Sequence, residues 1–228
     1  MAMRCPLVRL TDTSLADRAK VLIRDAIFEG KIRPEERLTI ERIADELGIS
    51  RTPVREALKA LESDGVVRLL PRRGAIVATF TAEEVYERYT VRAMIEGYAG
   101  ALACERQSKS LAAELKRDCR TLSRLIEQAV PEIAAVRPLI EANTIFHDRI
   151  LKASASATAI RTLEMLRMPV AYRVFFWQAT EHRLRSLRWH QQIADAFARR
   201  DPVEVRQLIE GHLLEARDFL IAIKEQHG

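Results

Sequence analysis

The sequence predicts a mainly α protein in two parts, a small unit of three helices and a hairpin over residues 9–80 and an all-α bundle over residues 81–228. Three observations lead there. Aromatic residues are only 6% and Gly and Pro eight each, while Ala, Leu, Arg and Glu abound, which favours helix over sheet. Apolar residues recur at helical spacing through most of the chain. Thr81-Ala82-Glu83-Glu84 forms a capping box, so a new helix starts there and the boundary falls near residue 80. With 228 residues, 48% of them hydrophobic, the chain can bury a sizeable core in one or two domains.

The elements follow in order. Leu15, Ala19, Leu22, Ile23, Ala26 and Ile27 share a helical face that Gly30 ends. Pro34 breaks the chain before Ile40, Ile43, Ala44 and Leu47, a short helix stopped by Gly48. Val54, Ala57, Leu58 and Leu61 define a third, closing near Gly65. Val66 to Leu70 and Ala75 to Ala78 flank the turn Pro71-Arg72-Arg73-Gly74 and read as one hairpin. This is the arrangement of a winged helix-turn-helix, although periodicity alone leaves other small folds open. Beyond it, helices are expected at about 82–106, 109–129, 134–153, 157–180, 183–200 and 202–226, with Pro169 kinking or splitting the fourth. The last start is the clearest, since Asp201 can cap, Pro202 suits the first position and Glu204 completes a box.

Bulk charge says little. The net charge of +5 is split between 15 basic against 12 acidic residues up to residue 80 and 22 against 20 thereafter, so any nucleic-acid binding must rest on local arrangement. Cys5, Cys104 and Cys119 show no paired spacing, which argues against a disulfide framework or a thiolate zinc site and fits a reducing cytoplasm. The longest run free of Asp, Glu, Lys and Arg is nine residues, Gly74 to Ala82, too short to span a membrane. Met1 to Thr13 lacks the apolar run of a secretory signal.

On the third helix Arg51, Arg55 and Lys59 fall opposite Val54, Leu58 and Leu61. Ser50 or Thr52 can cap its start, with Pro53 in the first turn, and the positive end of the helix then lies beside Arg51. Such an end suits phosphate, and its side chains can reach base edges in a major groove. Arg72 and Arg73 at the hairpin tip add a second basic point. The plainer reading is a solvated face opposite a core, and Glu56 interrupts the basic run.

The order of residues in Gly48-Ile49-Ser50-Arg51-Thr52-Pro53-Val54-Arg55-Glu56-Ala57-Leu58 resembles the DNA-binding domain of the GntR family of bacterial transcription regulators. The resemblance runs through Leu61, Asp64-Gly65 and Pro71-Arg72-Arg73-Gly74. It implies that Arg51, Thr52 and Arg55 contact operator DNA and that Gly74 lets the wing approach the duplex. Glu41 stands where some relatives carry an arginine, with Arg42 beside it.

Histidines raise a second question. His182 and His227 fall in an expected loop and at the terminus, where exposure is the default. The remaining three sit on apolar stripes: His212 with Ile209, Ala216, Phe219 and Ile223, His190 with Leu187, Ala194 and Phe197, and His147 with Ile140, Ile150 and Leu151. Asn143 lies one turn before His147 on the same side. One such histidine is usually a hydrogen-bonded core residue. Three on separate helices are costly to bury unless they share a partner, and a divalent cation supplies one. Three imidazoles and one oxygen suit Zn²⁺ or Ni²⁺, leaving room for water or a ligand carboxylate.

This region resembles the FCD effector domain of the FadR subfamily of GntR regulators. Asn143-Thr144-Ile145-Phe146-His147, His190 to Asp201, and His212 carry the match, which spans about residues 82–226. It implies that Asn143, His147, His190 and His212 hold a metal and an effector, with Asn143 replacing the usual aspartate and making the site less negative. Arg92 and Glu96 match an Arg-x-x-x-Glu segment, which implies an Arg92 contact to an effector carboxylate; a surface ion pair is the plainer alternative. The expectation is a cytoplasmic, ligand-responsive regulator, a homodimer on palindromic double-stranded operator DNA. The alternatives are a metal-free effector site and, less favoured, a metalloenzyme, since Asp148 is turned off the His147 face and no nucleophile motif is present.

Overall fold

The computed structural model describes residues 14–28, 31–33, 35–71, 73–78, 81–106, 108, 110–128, 136–166, 177 and 179–227, the last with side chains only to residue 223. The expected kink at Pro169, the Arg72 contact and the side chain of His227 lie outside the described residues. The chain divides into two compact units, residues 1–78 and 79–228.

In the first unit, α1 (Leu15–Phe28) packs against α3 (Arg51–Ser63), with α2 (Ile40–Leu47) docked on α3. Ala19, Ile23 and Ile27 from α1, Ile43 and Ala44 from α2, and Val54, Ala57, Leu58 and Leu61 from α3 form the core. Thr39 caps α2 by accepting from the Arg42 amide, and Gly48, in the left-handed region at φ 63°, ends it and turns the chain into α3. Ser50 occupies the cap position of α3 without a side-chain hydrogen bond.

The wing differs from the expected hairpin. Strands β2 (Val67–Leu70) and β3 (Gly74–Val77) are joined by β1 (Arg37–Leu38), giving an antiparallel sheet of order β1-β3-β2. Arg37 pairs with Ile76 and Leu38 with Ala75. Two residues are too few to show a period, so β1 left no signal in the sequence.

In the second unit, α4 (Ala82–Arg106) starts at the capping box: the Glu84 amide donates to Thr81 Oγ1 at 3.0 Å and the Thr81 amide to Glu84 Oε2 at 2.8 Å. It runs along α9 (Pro202–His227) in the most extensive helix pairing of the unit. Gly97 and Gly100 permit this approach, since a Cβ on Gly100 would fall 2.3 Å from Ile209 Cδ1. Between them in sequence are α5 (Leu111–Gln128), α6 (Val136–Ala153), α7 (Ala157–Met165) and α8 (Thr180–Arg199). Helix α5 packs on α6 and α8, and α6 also on α4. The expected helix over 157–180 is described only to Met165. Helix α8 starts at Thr180 rather than near 183, which carries His182 into the helix and onto its buried face. Exposure of His182 is therefore corrected. Among the described residues no helix is long and apolar enough to cross a membrane.

Candidate metal centre and nucleic-acid face

His147 on α6, His190 on α8 and His212 on α9 come from three separate helices and converge in the second unit. Their ligand nitrogens all lie within 4.8 Å of one another. His190 is 0% exposed and His212 5%, while His147 is half-buried. The Nε2 atoms of His147 and His190 are 3.3 Å apart. Phe146 stacks on the His190 ring at a centroid distance of 4.1 Å and 8° between planes. The rings of His147 and His212 are parallel to within 15°, and His190 stands at 75° to both.

Burial, and then the neighbouring imidazoles, drive the pKa values of His190 and His212 well below the usual histidine range. Both are therefore neutral near pH 7, the form that binds a cation. Among the described residues, His190 Nδ1 is buried without a hydrogen-bond partner. Asn143 is half-buried on α6, one turn ahead of His147.

Arg92 and Glu96 do not form an exposed surface pair. Arg92 Nη2 and Nε donate to Glu96 Oε1 at 2.8 and 3.1 Å, and the two side chains are only 21% and 11% exposed. The second oxygen of Glu96 lies 3.1 Å from His147 Nδ1. Burial works against the ionised carboxylate, yet Arg92 and His147 more than offset it and hold the Glu96 pKa at about 2. Burial likewise disfavours the Arg92 charge, and Glu96 restores it. The Arg-x-x-x-Glu spacing announced the pair, but its contact with a histidine 51 residues away did not show in the sequence.

His182 is a further buried imidazole, between the rings of Trp177 and Phe219 on the face of α8 that carries His190 two turns later. Helical periodicity extended a few residues N-terminally would have found it.

In the first unit Ser50, Arg51, Thr52, Arg55 and Lys59 are all exposed along α3, opposite its buried face. No acidic residue occupies its first turn. Arg51 is 3.6 Å from Glu41, both well exposed, and such a pair is weak. Arg42 is engaged by Glu46 at 2.8 Å and Glu36 at 3.3 Å. Arg73 is exposed at the wing tip, its carbonyl accepting from Arg37 Nε. Gly74 is buried at φ 88°, where a Cβ would meet the Leu38 carbonyl oxygen at 2.0 Å. This structural demand is additional to the wing contact that the resemblance implies.

Residues 15–77 match the gntR family of bacterial regulatory proteins, and residues 87–215 match the FCD domain. The chain is 24% identical over 205 residues to the HTH-type transcriptional regulator YdhC of Bacillus subtilis, covering 90% of each protein. It is 27% identical over 192 residues to the Nta operon transcriptional regulator of Aminobacter aminovorans, covering 84% of this chain and 87% of that one. Among solved structures, McbR/YncC of E. coli is similar with a TM-score of 0.70 at 22% identity, covering 95% of this chain and 100% of that one, a likeness of fold.

Proposed function

Because the chain belongs to the gntR family of bacterial regulatory proteins and carries an FCD domain, it is a DNA-binding transcriptional regulator rather than an enzyme, and we propose that its helical unit holds a divalent cation and a small carboxylate effector that together modulate operator binding. The observation that carries this reading is the convergence of three imidazoles, two of them buried and neutral, within 4.8 Å.

The residues fit a cation. The 3.3 Å between two Nε2 atoms is close to the separation of roughly 3.3 Å expected for two nitrogens each about 2.0–2.1 Å from one tetrahedral zinc. His147, His190 and His212 would ligate, with the Asn143 carbonyl as the fourth protein group, and Zn²⁺ or Ni²⁺ suits the set. Bound there, the ion acts as a Lewis acid that accepts an oxygen ligand. Imidazoles ligate in their neutral form, Asn143 is neutral and Arg92 offsets Glu96, so the protein groups around a bound ion bring no net charge. The site is then positive by the charge of the ion, which favours an anion, and Arg92 is positioned to share a carboxylate with it.

A second reading has its own support. The same 3.3 Å contact is a hydrogen bond when one Nε2 carries a proton, so a metal-free cluster binding the effector directly would satisfy the Nε2 atoms of His147 and His190. Metal content separates the two.

In the DNA-binding unit, α3 enters the major groove, Arg51, Thr52 and Arg55 meet bases or phosphates, and Lys59, Arg72 and Arg73 bind backbone. The Ser50 hydroxyl, free of capping, is available to phosphate together with the first amides of α3. Gly74 permits the wing geometry. A homodimer places two such helices on a palindromic operator. The test is a gel-shift titration on a palindromic duplex selected from a random pool, with and without metal and a panel of mono-, di- and tricarboxylates. Arg55→Ala is expected to weaken specific binding by about ten- to a hundredfold. Unchanged binding removes the α3 assignment, and affinity unmoved by metal and every carboxylate removes the effector assignment.

A further inference from the structure

An imidazole offers a metal one nitrogen, and the proton on the other nitrogen decides which one it is. At His147 the two sides of the ring face different groups. Nδ1 is 3.1 Å from a Glu96 oxygen, and Nε2 is 3.3 Å from His190 Nε2 in the interior of the cluster. A carboxylate only accepts, so Nδ1 carries a proton, and in the neutral ring that ligates a metal the Nε2 lone pair is then turned inward. The carboxylate is itself fixed, because two guanidinium donors of Arg92, one helical turn earlier on α4, hold its other oxygen.

We propose that Glu96 is the positioning residue of the centre: it sets the tautomer and ring orientation of His147, and Arg92 holds Glu96 in place for that task. This rests on the cation reading given above. Glu96 is not a fourth ligand, since the convergent set consists of the three histidines and the carboxylate lies on the outer side of the His147 ring. Nor is the role duplicated at His190, whose outer nitrogen is buried with no hydrogen-bond partner among the described residues. A carboxylate behind a ligating histidine also strengthens that nitrogen as a donor, and removing such a partner weakens metal binding by about 10–100-fold. The arrangement constrains the effector as well. With two of its donors already on Glu96, Arg92 can share a carboxylate only through the rest of its fork.

The test uses the full chain in two measurements. First, zinc affinity is measured by competition with a chromophoric chelator for the wild type and Glu96→Gln, with tryptophan fluorescence as the folding control. A ten- to hundredfold loss in a folded variant is expected, and equal affinities would overturn the proposal while leaving the cation reading intact. Second, ¹⁵N-labelled histidine NMR on metal-free wild type reads the tautomer of His147 directly and needs no variant. A protonated Nδ1 with a pyridine-like Nε2 is expected for the neutral ring; a neutral ring protonated on Nε2 with a pyridine-like Nδ1 would overturn the proposal. If the wild type binds no zinc, the cation reading falls and the tautomer measurement still decides the role of Glu96.

Discussion

His182 places an imidazole between Trp177 and Phe219, with ring centroids 5.3 Å from each. Burial, reinforced by the Arg185 charge, holds its pKa down at about 3, against 6.5 for the free group. The unfolded chain therefore binds a proton here between pH 6.5 and 3 that the folded chain refuses. The stabilising contribution is complete above pH 6.5 and falls as the pH drops toward 3, by at most about 1.4 kcal/mol per pH unit. Both tryptophans belong to the second unit, so their fluorescence in urea follows this unit alone. His182→Phe keeps a ring in the site and is expected to flatten the decline between pH 6 and 4 by about one proton. His190 and His212 contribute their own slopes in both proteins when metal is removed. An identical slope in the variant would mean that His182 titrates normally. The inward stripes of His147, His190 and His212 were readable because each repeats over several turns. His182 was not, because the helix is expected to start only near 183, one residue after it; the buried face of Ser186, His190, Ile193 and Phe197 reaches it when extended back by one turn.

At the scale of elements, the wing depends on Gly74. Its positive φ and the Leu38 carbonyl, 2.0 Å from where a Cβ would stand, combine backbone strain with a collision that only β1 can relieve by moving. Gly74→Ala is expected to cost about 2–4 kcal/mol locally. Hydrogen exchange should then quicken over residues 37–38 and 74–77 while tryptophan fluorescence is unchanged. Protection equal to wild type would show that the β1–β3 pairing tolerates the side chain. Helices were legible here wherever caps and periodicity agreed, as at Thr81 and Asp201. Strand β1 was not legible, because its pairing with β3 depends on tertiary approach and its two residues carry no pattern. The same reason hid the Glu96 contact with His147. The spacing of Arg92 and Glu96 lies within one helix, whereas the approach of α4 to α6 is set by packing across the bundle.

At the scale of the whole molecule, two compact units divide the work. The first exposes Arg51, Arg55 and Lys59 along a helix whose start has no side-chain cap, the face proposed for DNA, and the second gathers polar groups inside an otherwise apolar bundle. Buried imidazoles weaken a fold that gains nothing from them, so their concentration on three helices of one unit ties the stability of that unit to what it binds. Metal loading is accordingly expected to raise the urea midpoint reported by the tryptophans and to alter operator affinity through the dimer. The most direct measurement is the metal content of tag-free protein, loaded with excess zinc or nickel and desalted, set beside folded His190→Ala. About one divalent ion per chain in the wild type, and little in the variant, is the expected result. Less than about half an equivalent in the wild type, or equal content in His190→Ala, would contradict the assignment of the three-histidine centre.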